Sequence, residues 1–123
     1  MNIVVLAGGS STEREVSIVS GQGICTALRR RNHKAVLVDA YFGKESWGKE
    51  MFPQTYDIDA EIKYMQEKSG ELEETMKNRK EFFGPNVLEI CKAADMVFLA
   101  MHGSNGVDGK VQSVFDLMGI PYT

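Results

Sequence analysis

The chain has 123 residues, a formal net charge of −3, a charged fraction of 25% and a hydrophobic fraction of 43%. This is enough for one domain with a real core, and small for an enzyme that must hold two substrates and a nucleotide. The composition excludes disordered and collagen-like classes, and the mild acidity excludes a nucleic-acid partner, which needs a basic stripe to neutralise phosphates.

The first element is the apolar run Ile3-Val4-Val5-Leu6-Ala7, a strand buried on both faces. Gly8-Gly9-Ser10-Ser11-Thr12 then makes a tight exit turn, and Glu13, Arg14 and Glu15 stand at the start of a helix. From Glu15 to Arg31 the apolar residues Val16, Val19, Ile24, Ala27 and Leu28 recur at helical spacing. Gly21 and Gly23 lie inside this helix, where each costs about 1 kcal/mol relative to alanine, so the spacing predicts close packing against the sheet. Arg29-Arg30-Arg31 reads as a solvated helix end whose cations suit the helix dipole, and Asn32-His33 as a stop. Ala35-Val36-Leu37-Val38, ending at Asp39, forms a second strand and completes a right-handed βαβ unit.

The rhythm breaks over an insertion, residues 41–84. From Asp59 onward Ile62, Met65, Leu72 and Met76 mark a sparse helical face, with Glu73 and Lys77 placed for an i,i+4 pair; the bland reading is a solvated helix or hairpin covering a sheet edge. Pro85 suits the first position of a short helix bearing Val87, Leu88, Cys91 and Ala94. Met96-Val97-Phe98-Leu99-Ala100-Met101 is a third buried strand, followed by a second glycine-rich loop from His102 to Gly109. Asp108 can cap the next helix, with Val111, Val114, Phe115 and Met118 on one face and Gly119 at its end; Ile120-Pro121-Tyr122 opens a fourth strand.

These elements predict an α/β fold: a three-layer, Rossmann-like open parallel sheet of about four strands, order 2-1-3-4, with the insertion between strands 2 and 3. In that order the loops leaving strands 1 and 3 open a crevice, and Glu13 and His102 face it. A carboxylate suits a ligand ammonium, and a histidine or helix N-terminus suits a carboxylate, so together they fit a zwitterion such as an amino acid. The alternatives are a glutamate that only complements the helix dipole and a histidine that only satisfies backbone groups. Neither loop matches a dinucleotide or P-loop motif, and His33 and His102 lack metal spacing with any carboxylate. Cys25 and Cys91 read as small buried thiols of a reducing compartment. No apolar run nears the ~20 residues that span a bilayer, so no membrane partner is expected, and with no leader before the first strand the location expected is cytoplasmic.

The stretches AGGSSTEREVSIVSG and FLAMHGSNGVDGKVQSVFDLMGIPYT resemble the two signatures of the N-terminal domain of D-alanyl-D-alanine ligases, members of the ATP-grasp superfamily. The resemblance implies an enzyme of peptidoglycan precursor synthesis that joins two D-alanines with ATP and magnesium through a D-alanyl phosphate. It implies that residues 1–123 are the first-substrate domain, that the central and C-terminal ATP-grasp domains lie outside this chain, and that the fragment alone is inactive. Glu13 falls on the acidic residue that orients the ammonium of the first D-alanine, Val16 on the valine that touches its methyl, and His102, with Gly103 beside it, on the histidine that helps to bind it. Val107 stands where the family has a glutamate. The partners implied are D-alanine, the remaining domains and a second copy through this domain. The other readings are a stand-alone amino-acid sensor without catalysis, and a nucleotide-binding domain using the Gly103, Gly106, Gly109 loop.

Overall fold

Three strands, β1 (Asn2–Ala7), β2 (Lys34–Asp39) and β3 (Met96–Leu99), pair in parallel in the order β2-β1-β3. They belong to a computed structural model that describes residues 1–47, 50–101 and 109–123. The fourth strand is reduced to a parallel bridge between Val97 and Tyr122, in which Val97 N–H donates to Pro121 O and Thr123 N–H to Val97 O. Its position beyond β3 is that of the expected order 2-1-3-4. β3 ends at Leu99, two residues earlier than the apolar run suggests.

Two cores flank the sheet. Ile3, Val5, Ala7, Ala35 and Leu37 pack with Ile18 and Cys25 of α1 (Arg14–Arg30) and with Ile62 and Met65 of α2 (Ile58–Ser69). Val4, Leu6, Val36, Val38 and Val97 pack with α4 (Val87–Ala93) and α5 (Lys110–Met118), through Val87, Ile90, Cys91, Val111 and Phe115. The alternation of side chains along each strand divides the residues this way, since successive positions point to opposite faces. The helix after β1 therefore covers one face and the helix after β3 the other, as a switch point requires.

Helix α1 is turned from the anticipated face. Val16 and Val19 are 53% and 65% exposed, while Ser17, Ile18, Gly21 and Cys25 are buried. The cause is Gly21: a Cβ there would lie 2.9 Å from Ala7 Cβ and 2.9 Å from Leu37 Cδ1, so the helix meets the sheet at its backbone, not along its valines. Gly23 faces open space and packs on nothing. At the end of α1, Arg30 and Arg31 are exposed, but Arg29 is not simply solvated: its Nε donates to Ala35 O and its guanidinium lies over the Tyr56 ring.

The segment after β2 breaks at Gly70 into α2 and α3 (Leu72–Asn78). Ile62 and Met65 are buried, whereas Met76 is exposed, and Glu73 and Lys77 form no ion pair; the pair at this turn is Lys68–Glu71. The two ends of the segment meet, with Gly84 N–H donating to Ala40 O and Lys44 N–H to Pro85 O. It covers the β2 edge in a specific way. Tyr56 Oη accepts from Leu37 N–H (3.0 Å) and lies 3.2 Å from Leu37 O and 3.1 Å from Glu61 Oε1, so one hydroxyl satisfies the outward backbone groups of an edge strand. Burial, then the nearby Glu61 carboxylate, push the Tyr56 phenol up, which keeps that hydroxyl protonated. Helix α4 begins at Val87, two residues after Pro85, because Asn86 takes a left-handed conformation and donates through Nδ2 to Lys44 O. At α5 the cap position is held by Gly109, whose N–H donates to Gln112 Oε1; Asp108 lies outside the described residues.

One ion pair joins the ends of these elements. Arg14 is 3% exposed, and all five guanidinium N–H groups have acceptors: Nε on Ser69 Oγ (2.8 Å), Nη1 on Gly9 O (2.8 Å) and Asp39 Oδ1 (3.0 Å), Nη2 on Asp39 Oδ2 (2.6 Å) and Met65 O (2.9 Å). Asp39 Oδ1 also accepts from Tyr41 N–H and Phe42 N–H, turning the chain after β2. A buried pair of this kind contributes little relative to well-packed apolar residues, but leaving one partner alone is costly.

Gly21→Ala is expected to lower stability by about 1–2 kcal/mol through overpacking, while Gly23→Ala raises it by up to about 1 kcal/mol; urea unfolding of the two variants measures both signs. Arg14→Met and Asp39→Ala are each expected to cost about 3–5 kcal/mol in the same assay. The double variant should cost clearly less than their sum, since it leaves no unpaired charge.

Candidate functional site

The exit turn of β1 is built by glycine. Gly8 and Gly9 have φ of +77° and +85°, a region that side chains with a Cβ rarely occupy, and a Cβ on Gly8 would approach Asp39 Oδ1 to 2.7 Å. Gly8 N–H donates to Ser17 Oγ (2.9 Å), which ties the turn back to the first turn of α1. Ser11 then starts the helix: its Oγ accepts from Glu13 N–H and its carbonyl from Arg14 N–H, both at 3.1 Å.

Glu13 occupies the N-terminal cap position of α1, yet its side chain makes no capping hydrogen bond. It is exposed and has no ion pair among the described residues. The cap reading of this glutamate thus lacks its hydrogen bond, and a free carboxylate remains beside the positive end of a helix dipole. Val16, one turn further on, is also exposed, as a contact residue for a ligand methyl would be. The neighbouring Arg14, which the sequence reading left without a role, is wholly committed to the buried network. The signal that could have found it is Asp39, a carboxylate closing the apolar run of β2 at the same edge of the sheet.

The second expected wall begins where β3 ends. Ala100 N–H donates to Leu6 O, so the exits of β1 and β3 lie side by side at one edge of the sheet. A Cβ on Gly9 would lie 3.5 Å from Met101 Sδ and 3.7 Å from Phe82 Cζ. Met101 is the residue before His102. His102 and Gly103, both anticipated as substrate-binding, lie outside the described residues, as do Gly106 and Val107. The structure therefore brings together the turn bearing Glu13 and the chain leading into the histidine loop.

Other chemistry is sparse. Among the described residues no three His, Cys, Asp or Glu side chains converge on a possible metal position. Cys25 and Cys91 are free and buried; burial pushes their thiols up from 9.0 to about 11 and about 12, so neither is a nucleophile at neutral pH. A cavity of about 360 Å³ lies between residues 44–46 and α2, lined among others by Lys44, Glu61, Tyr64 and Lys68. Two of its charges are paired, Lys44 with Glu61 and the Tyr56 ring and Lys68 with Glu71. Neither Glu13 nor Val16 is among its lining residues. No helix among the described residues is long and apolar enough to cross a membrane.

Residues 2–123 match the family model described as D-ala D-ala ligase N-terminus. The D-alanine–D-alanine ligase of Lacticaseibacillus casei is 46% identical over 129 residues, covering 100% of this chain and 36% of that protein. That of Pediococcus pentosaceus is 42% identical over 129 residues, covering 100% of this chain and 37% of its own. A crystal structure of D-alanine–D-alanine ligase from Bacillus anthracis complexed with ATP has a TM-score of 0.55 at 24% identity, over 100% of this chain and 28% of that one, a likeness of fold. The chain thus spans about a third of the length of the curated relatives it matches. The two loop signatures and the match along nearly the whole chain lead to one conclusion: this chain belongs to the D-ala D-ala ligase N-terminal family.

Proposed function

We propose that the chain supplies the first-substrate wall of a ligase that joins two D-alanines at the cost of ATP, for peptidoglycan synthesis, and that Glu13 binds the ammonium of the first D-alanine. The observation that carries this reading is the exposed Glu13 carboxylate, with no capping bond or ion pair among the described residues, on a turn packed beside Met101. In this role the carboxylate accepts a charge-assisted hydrogen bond from the ammonium, Val16 meets the methyl group, and His102 with Gly103 approach from the facing loop. Holding the amine as an ammonium also keeps its lone pair from acting as a nucleophile, which leaves attack to the amine of the second molecule. The first carboxyl is oriented for activation by phosphoryl transfer, and orientation of this kind is worth several kcal/mol.

ATP supplies the activating phosphoryl group, and among the described residues no cluster of three His, Cys, Asp or Glu is present to hold its magnesium. The proposal therefore assigns ATP and magnesium to central and C-terminal ATP-grasp domains outside residues 1–123, with the 41–84 segment as an insertion in the first domain. The same reading takes in a cytoplasmic location and pairing of two copies through this domain.

In the full-length protein Glu13→Gln is expected to raise the KM for the first D-alanine and to lower turnover, reducing kcat/KM at least about tenfold, or roughly 1.4 kcal/mol of transition-state stabilisation. Steady-state kinetics with both substrates varied measure it, and unchanged constants would return Glu13 to a purely helical role. Calorimetric titration of the 123-residue chain with D-alanine separates a sensor from half a pocket: binding no tighter than about millimolar is expected, and micromolar affinity would favour the sensor.

A further inference from the structure

Helix α2 belongs to the segment that interrupts the α/β rhythm, and its two ends are fixed to different parts of the sheet. At its N-terminal end Asp57 caps the helix through Ala60 N–H, and the preceding Tyr56 is bound to both outward backbone groups of Leu37 on the β2 edge. At its C-terminal end Met65 O and Ser69 Oγ accept from Arg14, and Ser69 Oγ donates in turn to Met65 O at 3.1 Å. The guanidinium thus sits at the negative end of the helix dipole, the favourable place for a buried cation.

Arg14 reaches from there to the site turn. Its Nη1 holds Gly9 O at 2.8 Å, and its own peptide nitrogen, bonded to Ser11 O, is joined directly to Glu13. Two acceptors from α2, two from Asp39 and one from Gly9 fill the fork of the side chain. Loss of any one lets the planar guanidinium turn, and the Gly9 carbonyl and the first peptide of α1 turn with it.

We infer that α2 is a brace for the Gly9–Glu13 turn and that Ser69, remote from the crevice, is a positioning residue for the first amino-acid substrate. This rests on the reading of Glu13 as the ammonium-binding group. Ser69 does not touch substrate; it sets the position of Glu13 through Arg14. The segment between β2 and α4 is then part of the site's geometry as well as a cover for a sheet edge.

The test uses full-length protein carrying Ser69→Ala, with Ser69→Thr as the variant that restores the hydroxyl and Ser69→Cys as a substitute of similar volume should the alanine variant fail to fold. The first readout is amide hydrogen exchange at Gly8, Glu13 and Arg14. Faster exchange there in Ser69→Ala, at least about threefold, with return toward wild type in Ser69→Thr, is the expected result. The second is kinetic: a rise of about threefold to tenfold in KM for the first D-alanine, with KM for ATP unchanged. Unchanged exchange in the turn overturns the brace whatever the activity. Faster exchange with an unchanged KM in an active ligase overturns the positioning role. Wild-type protein that forms no D-alanyl-D-alanine, together with faster exchange in Ser69→Ala, removes the ligase reading and leaves the brace standing.

Discussion

The structure depends on a buried guanidinium that must find five acceptors. Arg14 could not be placed at the start of α1 unless Gly9 offered its carbonyl, Asp39 ended β2 with a carboxylate and α2 ended beside both. Each requirement fixes another piece of chain. Gly8 must be glycine because Asp39 Oδ1 occupies the space its Cβ would take, and the turn after β2 closes because the same oxygen accepts two backbone N–H groups. Removal of water from an ion pair is expensive, so the favourable feature is the completeness of its hydrogen bonding, with no N–H of Arg14 left over. An arrangement this demanding specifies one geometry for the turn that leaves β1.

Above that network the crevice follows from topology. Parallel pairing of β1 with both β2 and β3, with α1 on one face and α5 on the other, sends two connections apart from adjacent strand ends. The close approach of Gly9 to Met101 and Phe82 shows how near the two exits are. The exposed Glu13 and Val16 then face outward at the helix start while their neighbours Arg14, Ser17 and Ile18 turn inward. One helical turn thus divides its labour: one side holds the fold, and the other is exposed.

Much of this was legible in the residues, because apolar runs, glycine turns and helical spacing report burial directly. The three parallel strands, their order and the two faces follow from Ile3-Val4-Val5-Leu6, Val36-Leu37-Val38 and Met96-Val97-Phe98-Leu99. The rotation of α1 was not legible. Val16 and Val19 have the right period but lose the sheet to Ile18, Gly21 and Cys25, since close approach rewards the absence of a Cβ more than the presence of a valine. The role of Arg14 was also hidden, because apart from Gly9 its acceptor residues are 25, 51 and 55 positions away in sequence, and they include a backbone carbonyl and a serine. Within the 41–84 segment the break at Gly70 is local and visible, whereas the capping of the β2 edge by Tyr56 arises only when the sheet is assembled.

The central claim is that the glycine turn after β1 and the loop after β3 share one small zwitterionic ligand. Its most direct measurement is an experimental structure of the full-length protein with D-alanine bound. The account predicts the Glu13 carboxylate within about 3.2 Å of the ligand ammonium, with the ligand lying between that turn and the loop beginning at His102. A D-alanine whose ammonium is held elsewhere, with Glu13 still in solvent, would contradict it.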